Sequence, residues 1–196
     1  MDPSGLAKMF RENRMQDNPP GDFRPNEALI EAVASRLMPL GRALDLSNDD
    51  GIDALYLAQS GYAVALVGIF PGEVELARQR VEEARAKVEV YSAEPTKMPF
   101  HSGEFDIVFD PRLTDSLKGE ERDLFIQEVH RMLRPGGVLV LLIPNYKDST
   151  TRGCVTQQSV EEMFHPLFEV MRVVDTGTVD ADGGLRYNYS AWLRKH

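Results

Sequence analysis

Short apolar runs alternate with charged amphipathic stretches from residue 26 onward, and that alternation leaves few folds open to the chain. Arg42-Ala-Leu-Asp-Leu46 predicts a strand, the polar turn Ser47 to Gly51 follows, and Ile52 to Ser60 predicts a helix stopped by Gly61. Tyr62 to Ile69 is a nearly continuous apolar run, as expected of a strand buried on both faces. Gly72 to Lys87 reads as a charged amphipathic helix. Val88 to Tyr91 and Phe105 to Phe109 predict two further strands with a Pro-containing connection between them. The helix predicted over Gly119 to Leu133 meets its stop signal at Arg134-Pro-Gly-Gly137, and Val138 to Ile143 is the most apolar strand. Parallel neighbours need a crossover, most easily a right-handed helix, so the expected class is a doubly wound, mostly parallel α/β sheet with helices on both faces. After Asn145 the pattern changes to a helix over Ser159 to Phe164 and strands over Phe168 to Asp175 and Tyr187 to Leu193. The last two predict an antiparallel hairpin closing one sheet edge.

Upstream of this pattern, the stretch to Pro25 carries charges, the breaker Asn18-Pro19-Pro20-Gly21 and no sustained apolar period. Residues 1–25 therefore read as an arm or cap, and 26–196 as one domain. Ala28, Leu29, Ala32, Val33 and Leu37 recur at helical spacing behind an Asn26 N-cap, with Pro39 near the end. A chain of 196 residues is the right size for one core. Its 22 Lys and Arg against 31 Asp and Glu leave a net charge of -9, which repels phosphate backbones and anionic membranes. The expected partner is a small molecule or a protein, with no nucleic acid and no membrane. Cys154 has no cysteine to pair with, the longest apolar run is far short of a membrane span, and Met1 to Phe10 lacks the apolar stretch of a signal peptide. The expected location is cytoplasmic.

Several residues invite chemistry, each beside a plainer explanation. Asp45, Asn48, Asp49, Asp50 and Asp53 crowd one turn, but the calcium-loop spacing fails because the twelfth place from Leu46 is Leu57. A structural polar turn is expected, with Asp53 capping or flanking the next helix and no metal. His101 and His130 are too isolated for a catalytic group, and His130 reads as a surface residue. Cys154 reads as a loop residue rather than a nucleophile. The segment Asn145 to Gln158, with Tyr146 and Arg152, and the arm with Phe10, Arg14 and Phe23 are candidate lids or interaction segments. Tyr189 and Trp192 read as packing at the sheet edge.

The order of elements, together with Ala43-Leu-Asp-Leu46, Asp53-Ala-Leu-Tyr-Leu-Ala58, Met98-Pro-Phe100 leading to Phe105-Asp-Ile-Val108, and Glu128-Val-His-Arg-Met-Leu-Arg-Pro-Gly-Gly137, resembles the class I S-adenosylmethionine-dependent methyltransferases. The resemblance is to the small-molecule kind, such as the tellurite-resistance and thiopurine methyltransferases, and covers most of the chain. It implies a Rossmann-like methyltransferase sheet with the cofactor over the carboxyl ends of the strands. It also implies three contacts: a glycine-rich turn after the first strand, an acidic residue ending the second, and a polar, commonly acidic, residue after the third.

On this chain those positions read differently. The turn is Asp45-Leu46-Ser47-Asn48-Asp49-Asp50-Gly51, in which Ser47 and Asp49 replace glycines and only Gly51 remains. Phe70 replaces the ribose carboxylate, forfeiting charge-assisted hydrogen bonds of roughly 1.5 to 3 kcal/mol each. Ser92 takes the adenine-side position, with Glu94 close behind. The loop after the fourth strand, which the resemblance places against the substrate, offers Asp110, Arg112 and Asp115 as groups to orient a substrate or accept its proton. The plainer expectation there is a solvated loop with an Arg to carboxylate pair. Three departures at one ligand predict a methyltransferase-like protein with weakened or lost S-adenosylmethionine binding, acting as a binding, regulatory or assembly module. The alternative is an active methyltransferase acting on an O, N or S acceptor.

Overall fold

A computed structural model of the chain describes residues 25–35, 38–46, 51–145, 147, 155–179 and 185–196. The 1–25 arm, apart from Pro25, lies outside them. Its elements in chain order are α1 (Glu27–Ala34), β1 (Arg42–Asp45), α2 (Ile52–Gln59), β2 (Ala63–Gly68), α3 (Pro71–Glu83), β3 (Val88–Ser92), β4 (Phe105–Asp110), α4 (Leu113–Ser116), α5 (Glu120–Met132), β5 (Leu133–Pro144), α6 (Gln157–Phe164), β6 (Phe168–Val179) and β7 (Leu185–Lys195). The seven strands form one sheet in the order β3-β2-β1-β4-β5-β7-β6. Strands β1 to β5 pair in parallel, and β7 runs antiparallel to both β5 and β6. This is the mixed α/β sheet, mostly parallel with a C-terminal antiparallel hairpin, that the resemblance implies. Among the described residues no helix is long and apolar enough to cross a membrane.

The sheet is covered on both faces because its strands are apolar on both faces. One core joins Leu29 and Ala32 of α1, Ala54 and Leu57 of α2 and Ala77 of α3 to Ala43, Ile107, Val140 and Trp192. The other joins Phe125, Val129 and Met132 of α5 and Val160 and Phe164 of α6 to Phe105, Val108 and Leu141. Each large side chain fully buried in this way contributes about 1.5 to 3 kcal/mol.

Two strings singled out in the sequence prove to be halves of one clamp. Glu128 and Arg131 form a double hydrogen bond, Nε to Oε2 at 2.7 Å and Nη2 to Oε1 at 2.8 Å. Glu128 Oε1 also accepts from the Met98 amide at 2.9 Å, and Arg131 Nη1 donates to the Phe100 carbonyl at 2.8 Å. The connection between β3 and β4 is thereby fastened to α5. A second fastening lies at the amino ends of the strands, where Asp106 Oδ2 accepts from the Arg42 amide at 2.6 Å and Oδ1 pairs with Arg134 at 2.7 Å. Gly41 makes room for it, since a Cβ there would lie 2.0 Å from Asp106 Oδ2.

Four local expectations need correction. Helix α3 ends at Glu83 rather than Lys87, because Arg85 takes φ +51 and the Arg85 and Ala86 amides donate to Glu82 and Val81. This is a left-handed helix stop made without glycine. Arg134 to Gly137 does end α5, but it also forms the irregular start of β5, where the register against β4 shifts. Trp192 and Tyr189 are not at the edge: β7 is an inner strand, and Trp192 is fully buried. His130 is half-buried, with its ring edge-on to Phe168 at 5.5 Å, and burial lowers its pKa.

Candidate functional site

The chain leaves β1 toward β2 on one side, while β4 pairs with β1 on the other, so the strand order reverses between β1 and β4. A crevice outside the carboxyl ends of the strands follows from that reversal. The two ends are held together there by the Leu46 amide, which donates to the Phe109 carbonyl at 2.9 Å. Asp45 ends β1 fully buried. Ser47 and Asp49, with Asn48 and Asp50, lie outside the described residues. Gly51 closes the turn as the N-cap of α2 with φ +88, a conformation that favours glycine. Asp53, in the first turn of α2, is buried and reaches further than a local cap: its Oδ1 accepts from the Asn26 amide at 2.7 Å. The start of α1 is therefore tied to the helix that follows the turn.

Phe70 follows β2 as the N-cap of α3. Its half-buried ring packs against the same core as Ile69, Tyr91 and Ala93. Ser92, paired in register with Gly68, ends β3 with an exposed side chain, and Glu94 is exposed beyond it. The third and second strands thus bring Phe70 and Ser92 to the same end of the sheet as Asp45 and Gly51.

The loop after β4 is not the solvated loop expected. It forms the short helix α4, with Leu113, Thr114 and Ser116 buried. Asp110, fully buried, builds it: Oδ1 accepts from the amides of Arg112 at 3.0 Å and Leu113 at 2.6 Å, and Oδ2 from the Thr114 amide at 3.0 Å and hydroxyl at 2.6 Å. Burial raises the Asp110 pKa, and these four donors oppose that rise. Asp115, half-buried on the same helix, has no hydrogen-bond or ion-pair partner among the described residues. Burial pushes its carboxyl up to about 6, against the pull of Lys118, Arg112 and Arg122. The α4 turn had a signal in Asp110, an aspartate whose side chain accepts from backbone amides two to four residues on.

Sequence reasoning missed a polar group at the end of β5. Fully buried Asn145 donates from Nδ2 to Asp175 Oδ1, while its Oδ1 accepts from the Lys147 amide at 2.8 Å. Lys147 Nζ completes the group at 2.6 Å from Asp175 Oδ2. Tyr146, Arg152 and Cys154 lie outside the described residues.

Comparison with known proteins places these features in a family. Residues 44–141 match the family model described as a methyltransferase domain. An uncharacterized methyltransferase of Synechocystis sp. is 32% identical over 122 residues, covering 62% of this chain and 55% of the relative. A sarcosine/dimethylglycine N-methyltransferase of Halorhodospira halochloris is 29% identical over 130 residues, covering 64% of this chain and 46% of the relative. The chain thus spans about half the length of these curated relatives. Among solved structures, a SAM-dependent methyltransferase from Methanosarcina mazei shares the fold with a TM-score of 0.72 at 18% identity, covering 83% of this chain and 96% of that one.

Proposed function

Because the chain belongs to the methyltransferase domain family, within the class I S-adenosylmethionine-dependent superfamily, we propose that it is a family member whose cofactor crevice binds S-adenosylmethionine weakly and serves as a binding, regulatory or assembly module. The observation that carries this reading is Phe70. The resemblance implies a carboxylate at the end of β2 to accept from the ribose hydroxyls, and a phenyl ring held against the core supplies no such acceptor. Ser47 and Asp49 in the turn, and Ser92, which is exposed, add departures at the two other contacts. The residues present do not fit the ribose half of the cofactor, and no chemical step is assigned through it. A small molecule or a protein remains the expected partner, and a single cysteine suits a reducing cytoplasm.

Calorimetric titration with S-adenosylmethionine and S-adenosylhomocysteine tests the proposal. Binding no tighter than millimolar supports it, and micromolar binding of either ligand overturns it in favour of an active small-molecule methyltransferase. The variant Phe70→Asp should tighten S-adenosylmethionine binding by roughly tenfold or more, equivalent to one recovered charge-assisted hydrogen bond. Adding Ser47→Gly and Asp49→Gly should tighten it further.

A further inference from the structure

We infer that the amino end of the sheet carries a second ligand site, between the turns that enter β2 and β3, for a small carboxylate with an apolar body. It lies a strand's length from the crevice, roughly 20 Å for the six residues of β2, and stands apart from the cofactor reading. A cavity of about 510 Å³ opens there, within the size range of small-molecule sites. Its lining comes from two successive helix-to-strand turns: residues 61–64 lead from α2 into β2, and residues 86–89 lead from α3 into β3.

Three observations point to a ligand and to its chemistry. Tyr62 lines the cavity and is only 7% exposed, yet its hydroxyl has no hydrogen-bond partner among the described residues. A tyrosine buried to that degree ordinarily spends its hydroxyl on a partner. Lys87, exposed in the same lining, also has no partner for its ammonium among the described residues. The one carboxylate of the lining, Glu89, is already engaged: Arg42 donates to its two oxygens at 2.7 and 3.3 Å, and the Tyr91 hydroxyl donates at 2.8 Å. The side-chain groups left over are therefore a hydroxyl and an ammonium, and the group that satisfies both is an acceptor with negative charge. The third observation concerns the walls, which are apolar at Val64 and Val88. Beside them stands Leu40, 72% exposed, whose Cδ2 is 3.9 Å from where a Cβ on Gly61 would lie. An aryl or alkyl body would cover this surface, and a bare inorganic anion would leave it wet. Because the net charge of -9 repels anions at a distance, an anion needs that apolar contact as well as Lys87 to stay bound.

The test titrates the full chain with three probes of similar shape, 3-phenylpropionate, 3-phenylpropanol and 3-phenylpropylamine, followed by amide NMR. Millimolar 3-phenylpropionate should shift the amides of residues 61–64 and 86–89 and leave those of Phe70 and Ser92 unmoved. The alcohol should bind about tenfold more weakly, and the amine more weakly still. Lys87 is exposed and Tyr62→Phe keeps the shape of the ring, so variants at both positions should fold. Lys87→Gln should bring the carboxylate down about tenfold, level with the alcohol. Tyr62→Phe should weaken the carboxylate roughly fivefold while urea stability stays equal or rises, because the hydroxyl it removes has no partner to lose. Lower stability with unchanged binding in Tyr62→Phe would give the hydroxyl a purely structural role and overturn the inference. Equal shifts with all three probes, no shift with the carboxylate, shifts centred on the carboxyl ends of the strands, or full affinity in either variant would overturn it too.

Discussion

At the amino ends of β1 and β4, Asp106 holds the Arg42 amide and the Arg134 guanidinium, and Gly41 leaves the space that this carboxylate fills. At the carboxyl ends of β1, β2 and β3, Phe70 and Ser92 stand where the family resemblance implies hydrogen-bonding partners for a cofactor. The amino-end residues that fit the resemblance are the ones the fold uses on itself, together with the Glu128 and Arg131 clamp. At the other end the departing residues are exposed Ser92 and Phe70, whose ring joins the core and offers no acceptor. A sheet can therefore keep its family's architecture through packing demands alone, while the residues facing a ligand answer to the ligand.

Substitutions at the two ends should separate these demands. Asp106→Ala removes an acceptor from a half-buried amide and an ion pair at once, and should cost about 2 to 3 kcal/mol in urea unfolding. A loss below about 0.5 kcal/mol would mean that the amino end is no more constrained than the surface. Glu128→Gln comes next. The Arg131 hydrogen bond, ahead of opposing burial, holds the Glu128 carboxyl below its usual range. Its ionised form therefore stabilises the fold above the unfolded glutamate value, and that contribution is lost as pH falls through the lower folded value. The variant should lose about 1 kcal/mol at neutral pH, and its deficit should close in acid below the ordinary glutamate range; a deficit independent of pH would contradict the clamp. Ser92→Ala should be the mildest, within about 0.5 kcal/mol of the parent, and a larger cost would give Ser92 a scaffold role and blur the contrast.

The sequence made most of the fold legible because strand and helix periods differ and each run was long enough to show its own. Asn26 was readable as an N-cap, and its side chain does accept from the Ala28 amide. The end of α3 was not, because Arg85 occupies a left-handed position where glycine is the usual signal. The place of Trp192 was not readable either. A hairpin added to a sheet can join by either strand, and only the pairing of β7 with β5 puts that strand inside. At the crevice, the sequence identified which positions depart from the resemblance, but not the division of labour between Asp110 and Asp115. Two nearby carboxylates look alike in a string; one is enclosed by four donors and the other by none.

The extra residue at Met171, where the register of β6 shifts against β7, brings Arg172 opposite Trp192 and stacks its guanidinium 5.0 Å from the ring centroid. Arg172 also reaches Glu31 of α1 at 3.0 Å. Trp192 is the chain's single tryptophan. The tryptophan fluorescence of this protein is thus a signal from one known place, two strands beyond β4, where a cation lies over the emitting ring and α1 meets the sheet. Optically, the molecule is labelled at its scaffold, so its emission times the detachment of α1 and the loss of the fold and is a poor gauge of what enters the crevice.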